Sequence, residues 1–158
     1  MPIVKHFTAT GFVVHDRHVA LHWHLKVGEW LPPGGHIQPN EDPVQAVVRE
    51  VLEETGIEVE VVPSSAVFQF EYPSVVHPPL TILLEDIYDP SEGYHQPIDM
   101  IYVCRPINSS VHINDGWIWV SREQMATSNL LEREDGIAVA APQDVRVLAV
   151  HAFDLIEK

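Results

Sequence analysis

Apolar positions crowd residues 3–15, where Phe7, Phe12, Val13 and Val14 surround Thr8, Thr10 and Gly11, and the run predicts a strand. The polar group His15-Asp16-Arg17-His18 predicts a turn, and Val19 to Val27 the returning strand of a hairpin. Trp30-Leu31 then leads into Pro32-Pro33-Gly34-Gly35. Two prolines before two glycines suit neither strand nor helix, so the expectation is a rigid loop whose backbone can approach a ligand closely. Beyond it the period changes. Val44, Val48, Val51 and Thr55 fall on one face of a helix. Asp42 suits its N-cap, Pro43 its first position and Gly56 its C-terminal stop.

Ile57 to Val62, Ala66 to Tyr72, Leu80 to Tyr88 and Asp99 to Arg105 read as strands. Asp89-Pro90-Ser91-Glu92-Gly93 and His95-Gln96-Pro97 mark an exposed loop between the last two. Asn108 to Gly116 is a second polar loop, followed by a short strand, Trp117 to Val120. Ser121, with Glu123-Gln124 after it, starts a short helix or turn. Pro142 opens a final amphipathic helix on which Val145, Leu148, Ala149, Ala152 and Leu155 keep helical spacing. Several strands with two main helices predict a mixed α/β fold in layers, and residues 1–158 are expected to form one domain.

Composition narrows the chemistry. Of 158 residues, 46% are hydrophobic and 20% charged, as in a soluble globular protein, and no apolar run is long enough to span a bilayer. The first residues lack the apolar stretch of a secretory signal. Cys104 is the single cysteine, which excludes an internal disulfide and suits a reducing cytoplasm. A formal charge of −14 argues against binding of duplex nucleic acid, whose phosphates are held by Lys and Arg. A small phosphorylated substrate is not excluded, because a bound metal inverts the local field. Homodimers are the commonest soluble assembly, and a homodimer stands as one open expectation.

The predicted helix from Asp42 carries an unusual charge pattern. Arg49, Glu50, Glu53 and Glu54 fall within six residues, and the three glutamates converge on one side. Like charges at these spacings destabilise a helix. The arrangement makes physical sense if a hard divalent cation such as Mg²⁺ sits among the carboxylates, since such ions take oxygen ligands and bridge to substrate phosphates.

The stretch Gly35–Ile57 resembles the signature of the Nudix hydrolases: Gly, five residues, Glu, seven residues, Arg-Glu, an aliphatic, one residue, Glu-Glu, one residue, Gly, an aliphatic. Gly35, Glu41, Arg49, Glu50, Val51, Glu53, Glu54, Gly56 and Ile57 fill every fixed position. The resemblance implies an α/β/α sandwich with a mixed sheet. It implies that Glu50, Glu53 and Glu54, with the Gly35 carbonyl, hold Mg²⁺, with Mn²⁺ as a substitute. Arg49 would keep the carboxylates in place, Glu41 would brace Arg49, and Gly34 and Gly56 would shape the motif's two ends. Gln38 stands where many members have Glu, which leaves the number of ions open. Asn40 stands where Gly is common.

The implied activity is hydrolysis of a diphosphate (pyrophosphate) linkage in a nucleoside diphosphate joined to another group, such as ADP-ribose or a nucleotide sugar. Alternatives are a nucleoside triphosphate or dinucleoside polyphosphate pyrophosphohydrolase, or a non-catalytic nucleotide sensor. The resemblance adds two competing hints: in the family a Pro about sixteen residues past the motif, as Pro73 is past Ile57, is associated with ADP-ribose, and a Tyr slightly further on, close to Tyr72, with dinucleoside polyphosphates. For the general base, Glu53 is one candidate. An acid on a later loop is the other, with Asp115 preferred over Glu92. Phe68, Phe70 and Tyr72 alternate on a predicted strand and form either part of the core or a platform on which a nucleobase stacks. His95, near Asp99, is a candidate at the cleft. His18, His22 and His24 read as a solvent-facing strand edge rather than a zinc site.

Overall fold

A computed structural model describes residues 2–66 and 68–157. In chain order the elements are β1 (Val4–His15), β2 (His18–His24), β3 (Glu29–Leu31), β4 (Gly34–His36), α1 (Pro43–Thr55) and β5 (Val59–Val62). Then follow β6 (Thr81–Leu84), β7 (Ile87–Asp89), β8 (Gly93–Pro106), β9 (Trp117–Ser121), α2 (Arg122–Ala126), β10 (Leu130–Glu132), β11 (Ala138–Ala140) and α3 (Gln143–Ile156).

The axis of the fold is the parallel pair β1–β8, in register from Val4↔His95 to Val13↔Cys104. On its other edge β8 pairs antiparallel with β7, β6 and β5 in turn. β4 pairs antiparallel with β1, while β2 continues from the far end of β1 and carries β3 and β9 on its two edges. Because strand side chains alternate, β1 serves two cores at once. Phe12 and Val14 join Trp30, Met125, Val145, Ala149 and Phe153 on the side of α2 and α3. Ala9 and Val13 join Val47, Val51, Val59 and Tyr102 on the side of α1. Helices therefore cover both faces of a mixed sheet, as expected of an α/β/α sandwich.

The helix ends follow local chemistry. Asp42 accepts from the Gln45 backbone N–H at 2.9 Å, and the Gln45 side chain accepts from the Asp42 N–H at 2.9 Å. Two orphan donors of the first turn are so satisfied. Gly56 ends the helix at φ 78°, a left-handed conformation that glycine adopts without strain. Ser121 and Gln124 form the same reciprocal cap on α2.

Four expectations are corrected. Gly34 and Gly35 do not lie in a free loop but form β4 against Thr10 and Ala9. The exposed loop expected at His95–Pro97 is the start of β8, and the strand expected over Leu80–Tyr88 is broken at Glu85–Asp86. These two share a cause. Pro97 has no N–H for the ladder, but its carbonyl accepts from Glu85 N at 3.0 Å at the break between β6 and β7. The strand expected over Ala66–Tyr72 is absent among the described residues, and Val67 lies outside them. Phe68, Phe70 and Tyr72 are exposed at 73%, 60% and 89%, so they belong to no core. Finally, β3 and the β10–β11 hairpin were not anticipated.

Candidate active site

α1 lies beside β4, and the contact is built around Arg49. Its guanidinium donates to Glu41 through Nη2 at 2.6 Å and Nε at 3.1 Å, to Glu50 through Nη1 at 2.9 Å, and to Glu53 through Nη1 at 3.3 Å. Nη2 also donates to the His36 carbonyl at 3.0 Å. One planar group thus ties the loop, the strand and two helix carboxylates together, as the fork geometry of arginine allows. Glu41 Oε1 in turn accepts from Gln38 N at 2.8 Å. The Arg49 hydrogen bonds hold the Glu41 carboxyl below its ordinary range.

The two glycines of β4 do different work. A methyl group on Gly34 would lie 2.6 Å from the Ala9 carbonyl oxygen, so Gly34 permits strand pairing, and its N–H donates to Glu54 Oε1 at 3.2 Å. A methyl on Gly35 would lie 2.6 Å from both Cδ and Oε1 of Glu50. Gly35 is the space that the Glu50 carboxylate occupies. Burial, with Glu50 and Glu53 nearby, pushes the Glu54 carboxyl up to about 7. At the helix end, Asn114 Nδ2 and Trp117 Nε1 each donate to the Glu54 carbonyl at 3.1 Å, and Asn114 N to the Thr55 carbonyl at 2.9 Å.

These residues fit a hard divalent cation by donor chemistry. Carboxylate oxygens are crowded until one acid retains its proton, a condition that a cation relieves. Among the described residues no three His, Cys, Asp or Glu side chains already stand in ligating array. The reason is visible: Arg49 holds Glu50 and Glu53, and the Glu53 side chain is 58% exposed.

β4 and Glu54 border a cavity of about 780 Å³ that extends across β1 and β8 to α3. Its floor contains a carboxyl pair. Asp99, 5% exposed, accepts from Thr8 Oγ1 at 3.1 Å and from Thr10 Oγ1 at 2.8 Å. Burial and the neighbouring Asp99 push Glu85 up to about 8, and burial raises Asp99 as well, against the lowering effect of the Thr10 and Thr8 hydrogen bonds.

A family model for the NUDIX domain matches residues 5–138, most of the chain. The chain belongs to the Nudix family. Family membership makes it a hydrolase acting on pyrophosphate bonds, and Nudix hydrolases generally use divalent metal ions. A NUDIX-family hydrolase from Clostridium perfringens is 26% identical, with a TM-score of 0.74 over 96% of this chain and 97% of that one. The MutT protein from Methanosarcina mazei Go1 shares the fold at 18% identity and a TM-score of 0.59, over 100% and 99% of the two chains. So does the C. elegans Ap4A hydrolase, at 17% identity and a TM-score of 0.53 over 99% and 100%.

The Nudix fold gathers Gly34, Gly35, Glu41, Arg49, Glu50, Glu53 and Glu54 into one corner, with Gly56 turning the chain out of it. His95 and Glu92 line the cavity. Asp115 does not: it lies exposed on the Asn114-Asp115-Gly116 turn. Phe70 and Tyr72 lie exposed outside the cavity wall. His22 is not at a solvent-facing edge. It stacks on Trp117 at 4.2 Å between ring centroids, and burial lowers it to about 4. The pair Glu85–Asp99 was missed, because only the register Leu83↔Asp99 and the break after β6 bring the two together.

Proposed function

We propose that this Nudix hydrolase cleaves the diphosphate linkage of a nucleoside diphosphate joined to a second group, of the ADP-ribose or nucleotide-sugar kind, with Mg²⁺ as its ion. The observation that carries the reading is the corner built from Gly35, Arg49, Glu50, Glu53 and Glu54, whose Gly35 and Glu54 line a cavity large enough for a nucleotide. Glu50, Glu53 and Glu54, with the Gly35 carbonyl, would hold the ion. When bound, a divalent ion neutralises phosphate oxygens and lowers the pKa of water.

The chain supplies the rest. Arg49 and Glu41 fix the carboxylates. Glu53, the most exposed of the three acids in this corner, accepts from Arg49 through Oε2 and would take a proton from the attacking water through Oε1. Glu92 is the cavity-lining alternative, and its position favours it over Asp115. The Glu85–Asp99 pair, on the cavity floor across β1 from β4, would disfavour phosphate there and leave the floor to an uncharged part of the substrate. The lone Cys104 supports a reducing cytoplasmic setting, residues 1–158 act as one domain, and a homodimer is the assembly to test by light scattering. No helix among the described residues is long and apolar enough to cross a membrane.

The test is turnover with Mg²⁺, read as the nucleoside monophosphate and other phosphorylated products separated by chromatography, on ADP-ribose, nucleotide sugars, dinucleoside polyphosphates and nucleoside triphosphates. Highest kcat/KM on the first two classes supports the reading. Preference for triphosphates, or no turnover at any metal concentration, overturns it.

A further inference from the structure

The cavity poses an electrostatic problem for an anionic substrate. Among the described residues its lining contains one lysine, Lys26, already paired with Asp89 at 3.0 Å, and no arginine. The glutamates and aspartates around it repel phosphate. Besides a metal ion, backbone N–H groups, the Tyr88 hydroxyl and the two threonines already bonded to Asp99, the donors left are imidazoles, and three of them are gathered at one place.

His6 on β1 lies between His36 on β4 and His95 on β8. Its ring centroid is 4.5 Å from that of His36 and 4.9 Å from that of His95, with interplanar angles of 27° and 25°. His6 Nε2 and His95 Nδ1 are 2.7 Å apart and share a hydrogen. Among the described residues no carboxylate is hydrogen-bonded to any of the three rings. His36 directly follows Gly35, about 3.8 Å away between Cα atoms. A phosphoryl group held at the acidic corner would therefore have its neighbour beside this wall.

Building on the proposed function, we propose that His6, His36 and His95 form an anion subsite that receives a phosphoryl group of the substrate. A neutral imidazole has one N–H and one bare nitrogen. When His6 Nε2–H donates to His95 Nδ1, the hydrogen of His95 stands on Nε2, uncommitted and available to a phosphate oxygen. In the opposite tautomer His6 Nδ1, which is buried and has no partner, would carry a hydrogen, an unmet donor where the first tautomer leaves only an unmet lone pair. His6 serves as a positioning residue: it fixes the tautomer of His95 and holds the stack, and burial keeps it below its ordinary pKa.

Inorganic pyrophosphate titrated calorimetrically in the presence of Mg²⁺ tests this without requiring turnover. His95→Phe keeps a flat ring and removes both nitrogens. Its Kd is expected to rise about 10- to 100-fold, the range for one hydrogen bond to a charged group. His95→Gln, which keeps a donor, is expected to recover most of the affinity. Unchanged binding by His95→Phe, or equal weakness of both variants, overturns the subsite. On the wild-type protein, pyrophosphate should shift the imidazole ¹⁵N signals of His6 and His95 and leave that of the exposed His151 in place. Unmoved His6 and His95 signals also overturn it, even where a variant fails to fold. A chain that binds pyrophosphate through His95 yet hydrolyses no nucleotide keeps the subsite and loses the proposed reaction. Turnover of ADP-ribose with pyrophosphate binding indifferent to His95 does the reverse.

Discussion

Replacing Gly35 by alanine perturbs the proposed metal corner by one methyl group. Gly35 has no positive φ, so alanine can adopt its backbone. The added Cβ would lie 2.6 Å from the Glu50 carboxyl, against about 3.4 Å for an ordinary contact, so that carboxyl must retreat by about 0.8 Å. Glu50 has little room to do so, because Arg49 holds it at 2.9 Å and Glu54 is beside it. A misplacement near 1 Å in a catalytic constellation costs roughly 100-fold in rate. We expect kcat to fall about 30- to 100-fold and the Mg²⁺ concentration at half-maximal rate to rise. The melting temperature should fall less than in Gly34→Ala, because the added methyl meets the end of a side chain rather than backbone. Initial rates over a Mg²⁺ series, with a thermal melt, measure all three. Gly34→Ala is the contrast: its methyl meets backbone, 2.6 Å from Ala9 O, so it should lower the melting temperature clearly. If Gly35→Ala keeps kcat within about threefold at every Mg²⁺ concentration, the assignment of that space to a working carboxylate is wrong.

Arg49→Lys should lower turnover about 10- to 100-fold, since a lysine cannot bond Glu41, Glu50, Glu53 and the His36 carbonyl together; steady-state kinetics reads this directly. Glu53→Gln should lower kcat by at least about 100-fold, while Asp115→Asn, away from the cavity, should keep the wild-type rate. In metal-free protein, stability should fall as pH rises from about 7 to 8.5. Glu54 and Glu85 have folded-state pKa values, about 7 and about 8, above the ordinary 4.5, so each binds its proton more tightly folded than unfolded and its charging opposes folding. The depressed His6, His22 and His24 are largely neutral in both states there and leave the slope to the acids. Urea midpoints at the two pH values, with a flatter response in Glu85→Gln, check it.

What could be read from the chain alone was what local chemistry decides. Asp42, Pro43 and Gly56 act within a turn of where they stand, so both ends of α1 were legible. So were the acids of its exposed side, because their spacing fixes a common face. β4 was not, because Gly34–His36 becomes a strand only by pairing with Thr8–Thr10 of β1, more than twenty residues earlier in the chain and outside any local signal. Pro97 marked a loop by its type, yet its missing N–H falls where β8 changes partners. The alternation of Phe68, Phe70 and Tyr72 fitted a strand, but among the described residues no strand pairs with them, and they stay in solvent. Glu85 and Asp99 are fourteen residues apart and meet only across a strand pair, so the pair on the cavity floor had no signature in sequence.

The last turn of α1 has a consequence for folding as well as for catalysis. A helix ends in roughly half a negative charge from its aligned peptide dipoles, and stable proteins commonly offset this with basic side chains. α1 has none in its last turn and places Glu53 and Glu54 there instead. Asn114 and Trp117 meet the terminal carbonyls with neutral N–H groups, which satisfies their hydrogen bonds and leaves the field uncompensated. The backbone and the side chains thus push in the same direction, and a divalent ion answers both. An ion at 100 times its Kd adds about 2.7 kcal/mol to the folded state. For a chain of this size that is a rise in melting temperature of roughly 5–10 °C. The corner that would hold the ion for chemistry therefore makes it a counter-charge of the helix, so that metal starvation would lower the amount of folded protein along with its turnover.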